Sequence, residues 1–140
     1  MTQEIDALDG SLHLPNGIVL EHNSNFQKIV ATGITLNRDL DMKNGWRLAA
    51  IGPSAFLGVL ANFALLFFND ELKQVHFTLE QAGAAHPDQI RKVHDSVLMR
   101  EFGVPQVRDA QKLMYVFPWG TLVSAYDPRG GQSEVVLSWK

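Results

Sequence analysis

The residues able to do chemistry are few, and they are badly spaced for it. Five histidines, His13, His22, His76, His86 and His94, are the natural metal-ligand candidates. A helical zinc site wants two histidines one turn apart on one face, and no His-x-x-x-His pair occurs; His86 and His94 are eight residues apart, with His86 at a helix start. They are expected as solvent-side or capping residues, with no metal bound. Ser54, in Gly52-Pro53-Ser54-Ala55-Phe56, lacks the second glycine of a nucleophile elbow, and Pro53 disturbs the strand-to-helix turn that would expose it. Gly130-Gly131 precedes a strand pattern rather than a helix, so it suits a hairpin turn and not a phosphate cradle. Asp39 and Asp41, between Arg38 and Lys43, and the pair Asp70-Glu71 sit in loop and turn contexts. Solvated carboxylates there do not acquire the separated pKa values that acid–base catalysis requires. The chain has no cysteine, which removes disulfides, thiolate catalysis and cysteine-ligated metal clusters. No catalytic residue and no cofactor are expected.

One stretch is different. Tyr115 to Trp139, YVFPWGTLVSAYDPRGGQSEVVLSW, holds two of the three tryptophans and both tyrosines. Within it Trp119, Tyr126, Asp127 and Arg129 gather around turns instead of following a core period, and Tyr, Trp and Arg are the types that anchor protein interfaces. A cross-strand Trp119–Tyr126 pair with Asp127 opening the turn explains the same residues structurally. The four are retained as partner-contact candidates.

The elements that must position them are legible in part. Ser11–Leu14 and Ile18–Glu21 flank Pro15-Asn16-Gly17, and Asn-Gly supplies the positive φ angles of a tight hairpin. Ser24 or Asn25 can cap a short helix whose Phe26, Ile29 and Val30 recur at helical spacing, with Gly33 ending it. Residues 35–44 show no period and read as a loop. Strands are expected at residues 46–51, broken by Gly52-Pro53, with 56–60 either continuing that strand or opening the next. Residues 62–68 form another, apolar on both faces and so suited to the middle of a covered sheet, and 72–79 follow with Val75, Phe77 and Leu79 inward. Pro87 and Asp88 begin an amphipathic helix with Ile90, Val93, Val97 and Leu98 on its stripe and Gly103 as its cap. Three antiparallel strands, residues 114–117, 121–126 and 133–139, complete the pattern.

At 140 residues the chain is one domain, read as a flexible tail over 1–10 and a single α+β domain over 11–140. An antiparallel sheet of about five to seven strands is expected to pack against two helices. A net charge of −3 without a basic stripe argues against nucleic acid as partner. Leu48 to Phe68 is 21 residues without a charge, long enough to span a bilayer. Gly52-Pro53-Ser54, Gly58 and Asn62 interrupt it, however, and strand alternation follows, so no membrane partner is expected. The acidic N-terminus lacks the apolar core of a signal peptide, and the expected location is cytoplasmic.

Residues 88–139 run in the order amphipathic helix, Phe102-Gly103-Val104-Pro105, then aromatic-rich antiparallel strands with Trp119-Gly120 and Tyr126-Asp127. This order resembles the helix-then-hairpins unit of the β-lactamase-inhibitor-like fold, shared with small outer-membrane assembly lipoproteins, and residues 24–79 read as a degenerate second copy. The chain departs from those families in lacking a signal peptide, a lipidated cysteine and disulfides. By general type it also resembles small bacterial immunity proteins, which implies a non-catalytic inhibitor that neutralises a toxin effector by occlusion. Two other functions fit the sequence. One is a small-ligand binder or enzyme with a pocket between helices and sheet, using His76 or Asp127. The other is a homo-oligomer subunit that buries residues 56–60.

Overall fold

A computed structural model describes residues 4–15, 17–80, 86–127, 129 and 131–140. Asn16, Pro128 and Gly130, on which the two turn expectations partly rest, lie outside the described residues, as do residues 1–3 of the expected tail. The elements run β1 (Leu12–His13), β2 (Val19–Leu20), α1 (Phe26–Ala31), β3 (Arg38–Asp41), β4 (Trp46–Phe56), β5 (Val59–Phe68), β6 (Glu71–Glu80), α2 (Pro87–Phe102), β7 (Val107–Arg108), β8 (Lys112–Phe117), β9 (Gly120–Asp127) and β10 (Gln132–Trp139). β1 and β2 form a small hairpin, and the other eight strands form one antiparallel sheet in the order β3-β4-β5-β6-β10-β9-β8-β7. The α+β architecture is as expected, but the sheet is larger than five to seven strands.

The extra strands are β3 and the two-residue β7, and β4 is longer than expected. β3 carries Arg-Asp-Leu-Asp with all four residues exposed, so no apolar period betrays it. β4 continues through Gly52-Pro53, and the register skips between Ile51 and Ser54, so a bulge absorbs the dipeptide that looked like a break. The 21-residue apolar run is thus the β4–β5 hairpin, turned at Leu57 and Gly58 with positive φ at both. No helix among the described residues is long and apolar enough to cross a membrane.

The core lies on one face of the sheet. Phe56, Phe63 and Phe77 meet with centroids 5.1, 5.5 and 6.0 Å apart, two of the three contacts edge-to-face, the arrangement that the ring quadrupole favours. α1, capped by Asn25, sets Phe26 edge-on against Phe67 at 5.2 Å, and Arg47 lies 4.3 Å over the other ring partner, Phe26. Residues 4–10 are packed where a loose tail was expected. Ile5 is buried and bridges to Leu12, and the Glu4 carboxylate accepts the Leu57 N–H at 2.7 Å. The composition of this segment is acidic, but one isoleucine and distant partners fix it.

α2 lays Val97, Leu98 and His94 against the sheet. His86 caps the helix through a capping box with Gln89, as its position implied. His94 was expected on the solvent side and is instead fully buried, its Nε2 accepting the Leu79 N–H at 2.9 Å. That bond places the ring proton on Nδ1, which has no hydrogen-bond partner among the described residues. Removal from water disfavours the imidazolium and pushes the pKa down to about 4, against the opposing pull of Asp95 and Glu134.

The folded pKa of His94 is therefore below the ordinary histidine value, and the unfolded chain takes up the proton first. Stability from this site is complete above about pH 6.5, falls as pH drops toward about 4, and is level below that. Denaturant titrations at stepped pH should show a loss on the order of 3 kcal/mol across that window. His94→Gln should flatten the slope there.

Candidate functional site

The structure separates the four expected contact residues. Trp119 precedes β9 and Asp127 ends it, which sets them about 25 Å apart at strand rise. Trp119 turns back over the core. Its Nε1 donates to the Ala7 carbonyl at 2.9 Å, and its ring stacks on Phe117 at 4.8 Å and 7°. It also lies so close to Gly10 that a Cβ there would sit 2.5 Å from the ring, while the positive φ of Gly10 independently calls for glycine. Trp119 holds residues 4–10 in place.

At the other end, Tyr126 is 44% exposed, and strand alternation puts it on the helix-bearing face. Asp127 is half-buried on the opposite face and accepts the Arg129 N–H at 2.9 Å, the Asx turn its type suggested. Arg129 is exposed. A single aromatic–charged corner does not form.

His76 faces outward, as its alternation implied, so neither it nor Asp127 lines a space between helices and sheet. That space holds the packed core. Phe56 and Leu57 are buried, so Leu60, at 50%, is the one strongly exposed apolar side chain of the 56–60 segment. Among the described residues there is no group of three or more His, Asp or Glu side chains placed to hold a metal ion.

The sheet face opposite the helices is the more distinctive surface. β5 was expected in a sheet covered on both sides, and it is covered on one: Phe63, Leu65 and Phe67 are buried, while Ala64 and Leu66 are half-buried and Phe68 is exposed. Strand register carries this face across the sheet in rows. One row runs Leu40, Leu48, Leu66, Gln74, Ser138, Thr121, Val116. The next runs Arg38, Ala50, Ala64, His76, Val136, Val123, Met114. None of these residues is buried. Apolar residues thus occupy both flanks, with a polar strip down the middle strands.

The strip is internally bonded. His76 Nδ1 lies 3.2 Å from Glu134 Oε1, and His76 Nε2 lies 3.1 Å from Gln74 Oε1. Nearby, Asn62 Nδ2 donates to Glu80 Oε1 at 2.8 Å. Sequence reasoning missed this face as a site. Its signal was present in residues 62–68, whose second apolar face was assigned to the interior because periodicity reports what a strand carries and not what covers it.

Among the described residues the arrangement defines an α+β protein with an open eight-stranded antiparallel sheet, helices on one face only, and an apolar-flanked second face. No protein-family model matches the sequence, and no curated protein matches it. Among solved structures, one chain of the structure described as Rhs1-CT in complex with cognate immunity protein RhsI1 matches with a TM-score of 0.61. Identity is 18%, covering 100% of this chain and 88% of that one, a likeness of fold. A cysteine-rich secretory protein from Staphylococcus aureus subsp. aureus Mu50 aligns at TM-score 0.49 and 7% identity, over 85% of this chain and 44% of that one. That second likeness carries no argument, and neither structure bears on the β-lactamase-inhibitor-like resemblance.

Because Trp119 clamps the N-terminal segment, Trp119→Ala should lower unfolding free energy by about 2–4 kcal/mol. Arg129→Ala should change it by no more than about 0.5 kcal/mol. Paired urea unfolding curves followed by circular dichroism check both.

Proposed function

We propose that this chain is a non-catalytic inhibitor of the immunity type, which binds a toxin domain in the cytoplasm of the cell it protects and occludes it. The observation that carries the reading is the whole-length fold likeness to a chain from a complex with a cognate immunity protein. The uncovered sheet face supports it, since occlusion requires a broad rigid surface and no reacting group. Tyr126, on the helix-bearing side of β9, and Arg129, in the turn that follows, are exposed and remain contact candidates, whereas Trp119 contributes by holding residues 4–10.

The test is to identify the genes flanking this one and to co-express this chain with any toxin domain they encode. Growth arrest by the domain alone should be relieved by this chain, and the two should elute as a one-to-one complex whose mass light scattering confirms. Arrest that persists while the chain is folded and abundant, with no complex formed, refutes the reading.

A further inference from the structure

Resting on that inhibitor reading, the geometry points to the uncovered sheet face as the docking surface. It also points to a globular partner that presents an apolar protrusion between two acidic patches.

Size is the first argument. Eight strands are about 34 Å across at ordinary inter-strand spacing, and rows of same-face residues repeat about every 7 Å along them. The two rows give a footprint on the order of 500 Å², more than half of the roughly 800 Å² per partner of a standard interface. A peptide strand would cover only a small part of it.

Relief is the second. Ala50 and Ala64 are paired neighbours on β4 and β5, beside the larger Leu48 and Leu66 of the next row. Two methyl groups next to two leucines leave a shallow trough, and none of the four is buried by this chain. A protruding apolar side chain of a partner fills such a trough, and packing of that kind carries interface energy.

Charge is the third, and it selects the partner. Two acids in this strip are already engaged, Glu134 by His76 and Glu80 by Asn62. Two cations lack a close salt bridge or side-chain hydrogen bond among the described residues, Arg38 on β3 and Lys112 on β8, the latter attracted only at longer range by the exposed Asp109 carboxylate. Six inter-strand steps separate their strands, about 29 Å. Cations without a close salt bridge at both ends of this apolar-flanked face call for carboxylates on the partner at comparable separation. A second copy of this chain answers poorly, because the strip's Glu134 and Glu80 are taken.

The experiment titrates the toxin domain of the co-expression test against purified variants, with calorimetry or surface-immobilised binding at two salt concentrations. The double variant Arg38→Glu with Lys112→Glu should weaken binding by about 100-fold, chiefly by slowing association, and the loss should shrink at high salt. Leu66→Lys should cost about 10- to 100-fold, chiefly through faster dissociation. Lys92→Glu, on an exposed part of α2 on the other side of the sheet, should stay within about 2-fold. Arg38 is exposed and Leu66 and Lys112 are half-exposed, so matching circular dichroism and melting curves should show these variants folded.

If the face variants bind like wild type while Tyr126→Ala or Arg129→Ala abolishes binding, the docking face is overturned and the inhibitor reading survives. If wild type itself does not bind the domain, both fall together. A wild-type dimer in sedimentation that Leu66→Lys dissociates assigns the face to self-association and overturns the proposal.

Discussion

The antiparallel seam between β6 and β10 is the interaction on which the rest of the molecule depends. It joins Phe77 to Val135, His76 to Val136, Val75 to Leu137 and Gln74 to Ser138, and through these pairs two four-stranded meanders become one sheet. Each meander follows a helix in the chain, α1 before β3–β6 and α2 before β7–β10. The seam closes a long loop, so its hydrogen bonds form only after considerable chain entropy has been lost. α2 compensates by gripping both halves: His94 accepts from Leu79 on the first, while the Ser124 hydroxyl donates to Asp95 and the Ser133 hydroxyl to the Pro87 carbonyl on the second. Across the opposite face the His76–Glu134 contact spans the same seam. The seam is thus fastened from both sides, by a buried neutral imidazole on one and a half-exposed contact on the other.

The two faces of the sheet consequently follow different rules. On the helix side the side chains under α1 and α2 are interlocked, and among the described residues His94 Nδ1 is the one buried side-chain polar atom without a hydrogen-bond partner. On the other side leucines, valines and a methionine sit half in water, forgoing the roughly 25 cal/mol per Å² that burial would give. A single chain rarely leaves half-exposed apolar surface of that extent, here two flanks around a polar strip, without a use for it.

Much of the fold was legible in the sequence where local chemistry and tertiary environment agree. The β1–β2 hairpin, α1 with its Asn25 cap, β6 with its strict alternation, α2 from Pro87 to Gly103 and the last three strands all appear where period and capping put them. What escaped was decided over long distances. Residues 4–10 look like a tail until Trp119, more than a hundred positions away, reaches Ala7. His94 falls on the expected stripe of α2, four residues from both Ile90 and Leu98, so its position pointed inward; its polar type masked that until the Leu79 N–H supplied a buried partner. The candidate site was half visible, as an apolar second face on β5, while the four singled-out residues proved to belong to separate places. The strand expected over 121–126, observed as β9, divides Trp119 from the other three, and the alternation at its end sets Tyr126 and Asp127 on opposite faces.

The sheet also has two free margins, since it does not close into a barrel. At β3 the margin is four residues with Arg38, Asp39 and Asp41 exposed, and at β7 it is only two residues long. A strand from another molecule seeking to extend the ladder meets charges at one margin and almost no template at the other. These terminal strands therefore work as guards: they let the molecule present a wide apolar surface face-on while denying neighbours the edge-on route that leads to fibrous stacking.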